Sequence, residues 1–105
     1  ELVAAYDAAA GLRTIAERRP DLVLLDLHLP DRPGLEVLEA LRRDEATRDL
    51  PAIVASAVAG DEARRRALAA GATAFLAKPL DLDELMAAVV AALAPGRPAG
   101  GRRAP

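Results

Sequence analysis

The 105-residue sequence has no cysteine, no tryptophan, one tyrosine and one phenylalanine. Without cysteine, disulfide bonds, thiol catalysis and thiolate metal sites are excluded. With so few aromatic side chains, the chain cannot build a stacking platform for single-stranded nucleic acid or an aromatic cage. The formal net charge of −2 lacks the basic excess with which DNA-binding proteins displace counterions. We therefore expect no direct contact with nucleic acid.

Long apolar runs are also missing. The longest, residues 85–94, is about half of the roughly 20 residues that a transmembrane helix requires. No signal-like segment opens the chain. Together with the lack of cysteine, which fits a reducing compartment, these features predict a cytoplasmic protein without a membrane partner. The length is that of one domain, and a first residue Glu1 in place of methionine predicts a truncated N-terminus.

Short apolar runs alternate with segments of helical periodicity. They predict strands over residues 2–5, 22–27, 52–57 and 73–77, and helices over residues 8–19, 35–41, 62–70 and 82–94. Asp7 and Asp81 stand where N-caps are needed. Strict alternation with short connections predicts right-handed crossovers and a parallel α/β sheet with helices on both faces. Residues 95–105 contain nothing to bury, which predicts a flexible tail or linker after a domain of residues 1–94.

Three side chains with different chemistry lie within one residue of the ends of three predicted strands. Ser56 is the only serine and Lys78 the only lysine, in a chain with thirteen arginines, and Asp26 lies near the end of the strand that begins at Leu22. The carboxyl ends of parallel strands meet at one edge, where ligands bind. A carboxylate there can attack a phosphoryl donor and become an acyl phosphate. The lysine can supply a compact positive charge and the serine a rotatable donor to the phosphoryl oxygens.

The motifs around these residues, in this order and at this spacing, resemble the receiver domain of two-component response regulators. They are Pro20 to Pro30 with Gly34, Leu50 to Val54 with Ser56 and Ala57, and Gly71 and Ala72 with Phe75 to Pro79. The resemblance covers residues 2 to about 94 and implies a flavodoxin-like fold that lacks its first β-strand and α-helix. The missing strand would lie between the strands at Leu2 and Leu22. We therefore expect unpaired backbone groups inside the sheet and marginal stability.

The resemblance also implies a role for each site residue. Asp26 matches the phosphoacceptor, Ser56 the switch hydroxyl, and Lys78 the lysine that pairs with the phosphoryl group. Phe75 matches the aromatic residue that turns inward on activation, although its position is equally that of a core residue. The backbone carbonyl of His28 matches a ligand of Mg²⁺. The acidic residues that complete the family's Mg²⁺ site are absent from this chain, so we expect Mg²⁺ to bind weakly here and well in the complete domain.

Partners follow from the same resemblance. It implies phosphorylation by a histidine kinase or a phosphotransfer protein, and no enzymatic activity beyond self-catalysed phosphoryl transfer and autodephosphorylation. It implies signalling through the face of helix 62–70, strand 73–77 and helix 82–94, a face that could also form a homodimer. The tail leaves room for a C-terminal output domain.

Two alternatives remain open at this point. A pseudo-receiver that binds a partner without phosphate is favoured by the missing acids and opposed by the intact Asp26, Ser56 and Lys78. A cobalamin-binding domain is suggested by Asp26-Leu27-His28, which resembles the start of an Asp-x-His-x-x-Gly motif. In that motif the histidine binds cobalt and the aspartate orients it. The glycine position, however, is occupied by Asp31.

Overall fold

The computed structural model describes residues 2–5, 7–57 and 60–94, and the predicted tail, residues 95–105, lies outside them. The described residues form four strands and four helices in strict alternation. These are β1 (Leu2–Ala5), α1 (Ala8–Arg18), β2 (Leu22–Asp26), α2 (Gly34–Arg43), β3 (Ala52–Ser56), α3 (Asp61–Ala69), β4 (Ala74–Ala77) and α4 (Leu82–Ala92). The predicted elements are confirmed, with ends that differ by a residue or two. The division into domain and tail stays a prediction.

The helix ends agree with the predicted caps. Asp7 accepts a hydrogen bond from the amide of Ala10 at 2.7 Å. Asp81 accepts from the amides of Asp83 and Glu84 at 2.8 and 3.1 Å. Both aspartates therefore satisfy amides that an isolated first helical turn leaves without a partner.

The sheet is parallel, and its strands lie in the order β1-β2-β3-β4. Strands β1 and β2 pair directly, with Leu2 opposite Leu22 and Ala5 opposite Leu25. The expectation of unpaired backbone groups between these strands is therefore wrong. Buried amides and carbonyls without partners are costly, and the two strands avoid that cost by lying side by side.

The strand order decides where the helices lie. Right-handed crossovers that all step in one direction along a sheet place their helices on one face. Helices α1, α2 and α3 accordingly share one core on that face. Its members include Ala8, Ile15, Val37, Leu38, Leu41 and Ala67 from the helices and Val23, Leu25, Val54 and Phe75 from the sheet. Helix α4 follows the last strand and packs on the opposite face. Helices thus cover both faces, as predicted, but unequally.

The second core is smaller because α4 forms it alone. It joins Ala92 to Leu22 and Ile53, with Ala88 and Val89 packed at its margin. The other side of α4 has no neighbouring helix among the described residues. A row of large apolar side chains therefore stays exposed there: Leu82 at 69%, Met86 at 52%, Val90 at 68% and Leu93 at 48%. Among the described residues, every helix also falls short of the length and apolarity that a membrane span needs.

Candidate functional site

The three strand-end residues lie at one edge of the sheet. Asp26 and Ser56 are the last residues of β2 and β3, and Lys78 directly follows β4. Asp26 is level with Ala55, and Ser56 is level with Ala77. The backbone amide of Lys78 donates to the carbonyl oxygen of Ser56 at 2.8 Å, which extends the β3–β4 pairing beyond Ala77. Parallel pairing therefore delivers all three residues to the same rim.

Lys78 and Asp26 are in direct contact. The Nζ of Lys78 donates to Oδ2 of Asp26 in an ion pair. The other carboxylate oxygen, Oδ1, accepts from the backbone amide of His28 at 2.9 Å. The side chain of Lys78 is 38% exposed and that of Asp26 is 28% exposed. Because solvent screens such a pair, it adds at most about 1 kcal/mol to stability. Its main effect is to place a positive charge against a carboxylate that remains open to solvent.

The electrostatic surroundings of Asp26 favour its ionised form. Partial burial alone would raise the pKa of this carboxyl. The hydrogen bonds from the Lys78 side chain and from the His28 backbone amide, together with the positive charge of Lys78, outweigh burial and hold the pKa below its ordinary value of 3.8. At neutral pH, Asp26 is therefore an anion and can act as a nucleophile.

This shift predicts how the ion pair responds to acid. Because the pKa of Asp26 is lowered in the folded state, the pair stabilises the fold above about pH 4 and loses that contribution as the pH falls through the lowered pKa. A carbon-13 NMR titration of the Asp26 carboxyl should give a midpoint below 3.8. Lys78→Met should raise this midpoint, whereas Arg43→Met, on the exposed end of α2, should leave it unchanged. A midpoint of 3.8 or higher in the unsubstituted chain would contradict the assignment.

Ser56 and Phe75 lie just inside the same rim. Ser56 is fully buried, and Phe75 is 7% exposed. Because side chains alternate along a strand, Ser56 shares a sheet face with Val54, which is in the main core together with Phe75. The structure thus brings Asp26 and Lys78 into contact, and it holds the Ser56 side chain in the adjoining interior.

The loop of residues 27–33 folds back beside the end of β2. The amide of Gly34 donates to the carbonyl oxygen of Leu27 at 2.7 Å, and a short bridge pairs His28 with Pro33. His28 is exposed, and its contact with Asp26 is made by its backbone amide. The loop therefore presents main-chain groups of residue 28 next to the Asp26 carboxylate.

Gly34 is required by the close approach of α2 to the end of β2. A Cβ atom at this position would lie 2.8 Å from the Cα of Leu27 and closer still to the carbonyl oxygen of Asp26. Sequence reasoning included Gly34 only as part of a motif, and it treated Asp31 only as a mismatch to another motif. The position of Gly34 directly after Pro33, where α2 begins, was the feature of the sequence that could have indicated this close approach. Nothing in the local sequence around Asp31 indicates a role for this residue.

The sequence matches the family model of the response regulator receiver domain over residues 1–90, and the chain belongs to this family of two-component systems. One relative is the DNA-binding dual master transcriptional regulator RpaA of Synechocystis sp., 37% identical over 89 residues, or 85% of this chain and 37% of that protein. The transcriptional regulatory protein PrrA of Mycobacterium bovis is 41% identical over 93 residues, or 89% of this chain and 39% of that protein. The chain thus spans about two-fifths of the length of these relatives.

Solved structures agree with this assignment. A two-component response regulator from Clostridium difficile superposes with a TM-score of 0.76 at 29% identity, covering 85% of this chain and 71% of that one. A CheY-like receiver domain protein from Methanospirillum hungatei gives a TM-score of 0.73 at 30% identity, covering 83% and 68%. The predicted α/β fold and the resemblance to receiver domains are confirmed.

Receiver domains generally bind Mg²⁺, so the oxygen donors near Asp26 must be sufficient to coordinate this ion if the described residues are to hold it. Mg²⁺ demands near-octahedral oxygen coordination, usually from carboxylates, phosphate and water. The described residues contain no group of three or more His, Cys, Asp or Glu side chains that could hold a metal ion. Asp26 and the carbonyl oxygen of His28 do not make such a site by themselves. We therefore assign no step of the chemistry to a metal ion.

Proposed function

We propose that this chain is a phosphoacceptor domain and that Asp26 receives the phosphoryl group from a histidine kinase or a phosphotransfer protein. The contact between Lys78 and Asp26 at the rim of the sheet carries this proposal. The lowered pKa of Asp26 supports it, because the reaction needs a carboxylate anion. An oxygen of Asp26 attacks phosphorus, the new O–P bond replaces the P–N bond of a phosphohistidine, and the electron pair of that bond leaves with the imidazole nitrogen.

Each neighbour of Asp26 has a task in this reaction. Lys78 neutralises charge on a phosphoryl oxygen, a role for which a lysine's point charge is suited. The His28 amide holds the carboxylate oxygen Oδ1. The acyl phosphate carries nearly two negative charges where the Asp26 carboxylate carried one. The hydroxyl of Ser56 must rotate from the interior to donate to one phosphoryl oxygen.

The signal then reaches the face of α3, β4 and α4. We propose that rotation of Ser56 is accompanied by movement of Phe75, which is two residues before the register partner of Ser56 on β4. A groove of about 750 Å³ on this face is lined by residues of all three elements, including Phe75. Movement of this side chain therefore changes a surface that a partner or a second copy could contact. The missing acids favour the pseudo-receiver alternative, but the contact between Lys78 and Asp26 opposes it. The cobalamin alternative is opposed by Asp31 at the glycine position of its motif.

The relatives' names suggest where the signal goes. RpaA and PrrA are named as transcriptional regulators. We propose that this domain likewise controls an output domain that contacts DNA, that it does not touch DNA itself, and that it acts in the cytoplasm. Its net charge of −2 supports the second part of this proposal. We further propose that its catalytic activity is restricted to its own phosphorylation and dephosphorylation.

Labelling with acetyl phosphate and Mg²⁺ tests the site assignment. The protein, in the form that the cell makes, should gain one phosphoryl group that hydroxylamine removes, and Asp26→Asn should abolish the gain. Asp83→Asn, at an exposed position on α4, should label normally. Lys78→Met should label about a hundredfold more slowly, because it removes a positive charge from the transition state. Intact-mass spectrometry reads all four proteins. An unlabelled parent protein, or labelling that survives Asp26→Asn, would overturn the proposal.

A further inference from the structure

Two aspartates from different parts of the chain cap the N-terminus of α1. Asp7 accepts from the amide of Ala10 at 2.7 Å. Asp31 accepts from the amides of Ala8 and Ala9, at 2.7 and 3.0 Å, through its two separate carboxylate oxygens. A helix start normally leaves its first amides without intrahelical partners. Here the two carboxylates satisfy the first three amides of α1 between them.

The two caps differ in what they connect. Asp7 immediately precedes α1, so its hydrogen bond closes a local turn. Asp31 lies 23 residues after Ala8, in the loop that follows Asp26, so its hydrogen bonds join two elements. These bonds are charge-assisted, and the positive end of the helix dipole adds to them. The amides of Ala8 and then Ala9 lower the pKa of Asp31, which keeps it anionic at neutral pH.

The loop of residues 27–33 is held in place at three points. Its base is closed by the hydrogen bond from Gly34 to Leu27, and the side chain of Leu29 is buried in the main core. The following residues, 30–33, are exposed. Asp31 ties this exposed part to α1, so the loop is held at the base, in the middle and at the tip.

We propose that Asp31 is a positioning residue for the phosphorylation site. By binding the N-terminus of α1 it fixes the loop, and the loop in turn fixes the main-chain groups of His28 beside Asp26. Asp31 does not touch Asp26 or a phosphoryl group, and it acts through the backbone of residues 28–30. This inference rests on the proposed function for its consequence, whereas the anchoring itself can be measured without phosphorylation.

Asp7→Ala is the matched control for Asp31→Ala. Each substitution removes one carboxylate from the same helix end, but only Asp31→Ala releases the loop. In hydrogen-exchange NMR, Asp31→Ala should speed exchange of the His28 and Gly34 amides about tenfold, as expected for the loss of a cap, and Asp7→Ala should leave both unchanged. Asp31→Asn keeps one acceptor oxygen and should give an intermediate rate. Asp26 labelling by acetyl phosphate should slow in the same order.

The outcomes separate the anchor from the function. Equal exchange of the loop amides in the two alanine variants would reduce Asp31 to a helix cap and overturn the inference. Unchanged loop exchange in Asp31→Ala would overturn it as well, and so would faster loop exchange with unchanged labelling. Failure of the unsubstituted protein to label would overturn the proposed function, while the exchange comparison still decides whether Asp31 holds the loop. Circular dichroism confirms that each variant is folded.

Discussion

Replacing Arg42 by methionine is expected to lower the free energy of unfolding by about 3 kcal/mol, because it leaves backbone carbonyls without their donors. Arg42 is 8% exposed. Its Nε donates to the carbonyl oxygen of Gly71 at 3.0 Å, and its Nη1 donates to those of Thr47 and Arg48 at 3.2 and 3.1 Å. One side chain thus joins the end of α2, the loop after it and the turn that precedes β4. Methionine fills much of the volume but supplies no donor.

Urea denaturation measures this effect, and the next residue provides the control. Arg43 lies on the same helix but is exposed, so Arg43→Met should change stability by less than about 0.5 kcal/mol. A domain of this kind is stable by only about 5–15 kcal/mol, so the loss at Arg42 is a large share of the total. Similar unfolding midpoints for the two methionine variants would show that the three hydrogen bonds contribute little.

Replacing Gly34 by alanine is expected to cost about 2 kcal/mol, as overpacking of a close contact does. The direction of the change in unfolding free energy is informative. Replacing glycine by alanine in a helix without a close contact would stabilise the fold by up to about 1 kcal/mol. The added Cβ would lie 2.8 and 3.0 Å from the Cα and carbonyl oxygen of Leu27. These are backbone atoms of the residue directly after β2, and they cannot rotate away as a side chain could. Relief of the clash must move α2 or the backbone next to Asp26, the proposed phosphoacceptor.

Denaturation and Asp26 labelling together test this prediction. Gly34→Ala should lower stability and slow labelling by acetyl phosphate. Gly60→Ala is the control, because a Cβ at Gly60 meets nothing within 4 Å and only the positive φ of 131° opposes it. That variant should lose some stability but keep the labelling rate of the parent, since Gly60 is at the start of α3. Faster or unchanged labelling together with full stability in Gly34→Ala would show that the helix can shift without cost.

Local patterns predicted most of the fold. The alternation of apolar runs with helical periodicity was enough to find all eight elements, and the strand ends were enough to place Asp26, Ser56 and Lys78 at one rim. Both results follow from properties that a short stretch of chain carries by itself. The pairing of β1 was predicted wrongly because the expectation took strand positions from a complete family member. In the structure, the two strands close the gap instead.

Contacts between distant residues were not predictable in this way. Nothing near Asp31 indicates that it reaches the start of α1, because that contact depends on how the sheet places α1 beside the loop. Arg42 resembles the twelve other arginines in sequence, and only its position on the inner side of α2 distinguishes it. The burial of Ser56 likewise depends on which face of β3 receives three helices.

Pairing of each strand with its successor also bears on how the chain finds its structure. Representative partners, Leu2 with Leu22, Val23 with Ala52 and Ile53 with Ala74, are 20, 29 and 21 residues apart. Because these separations are similar, each strand pairing costs about the same loop-closure entropy. No pairing requires remote parts of the chain to meet first. Assembly can therefore proceed by adding one strand–helix unit at a time, which favours faster folding than in sheets whose adjacent strands are far apart along the chain.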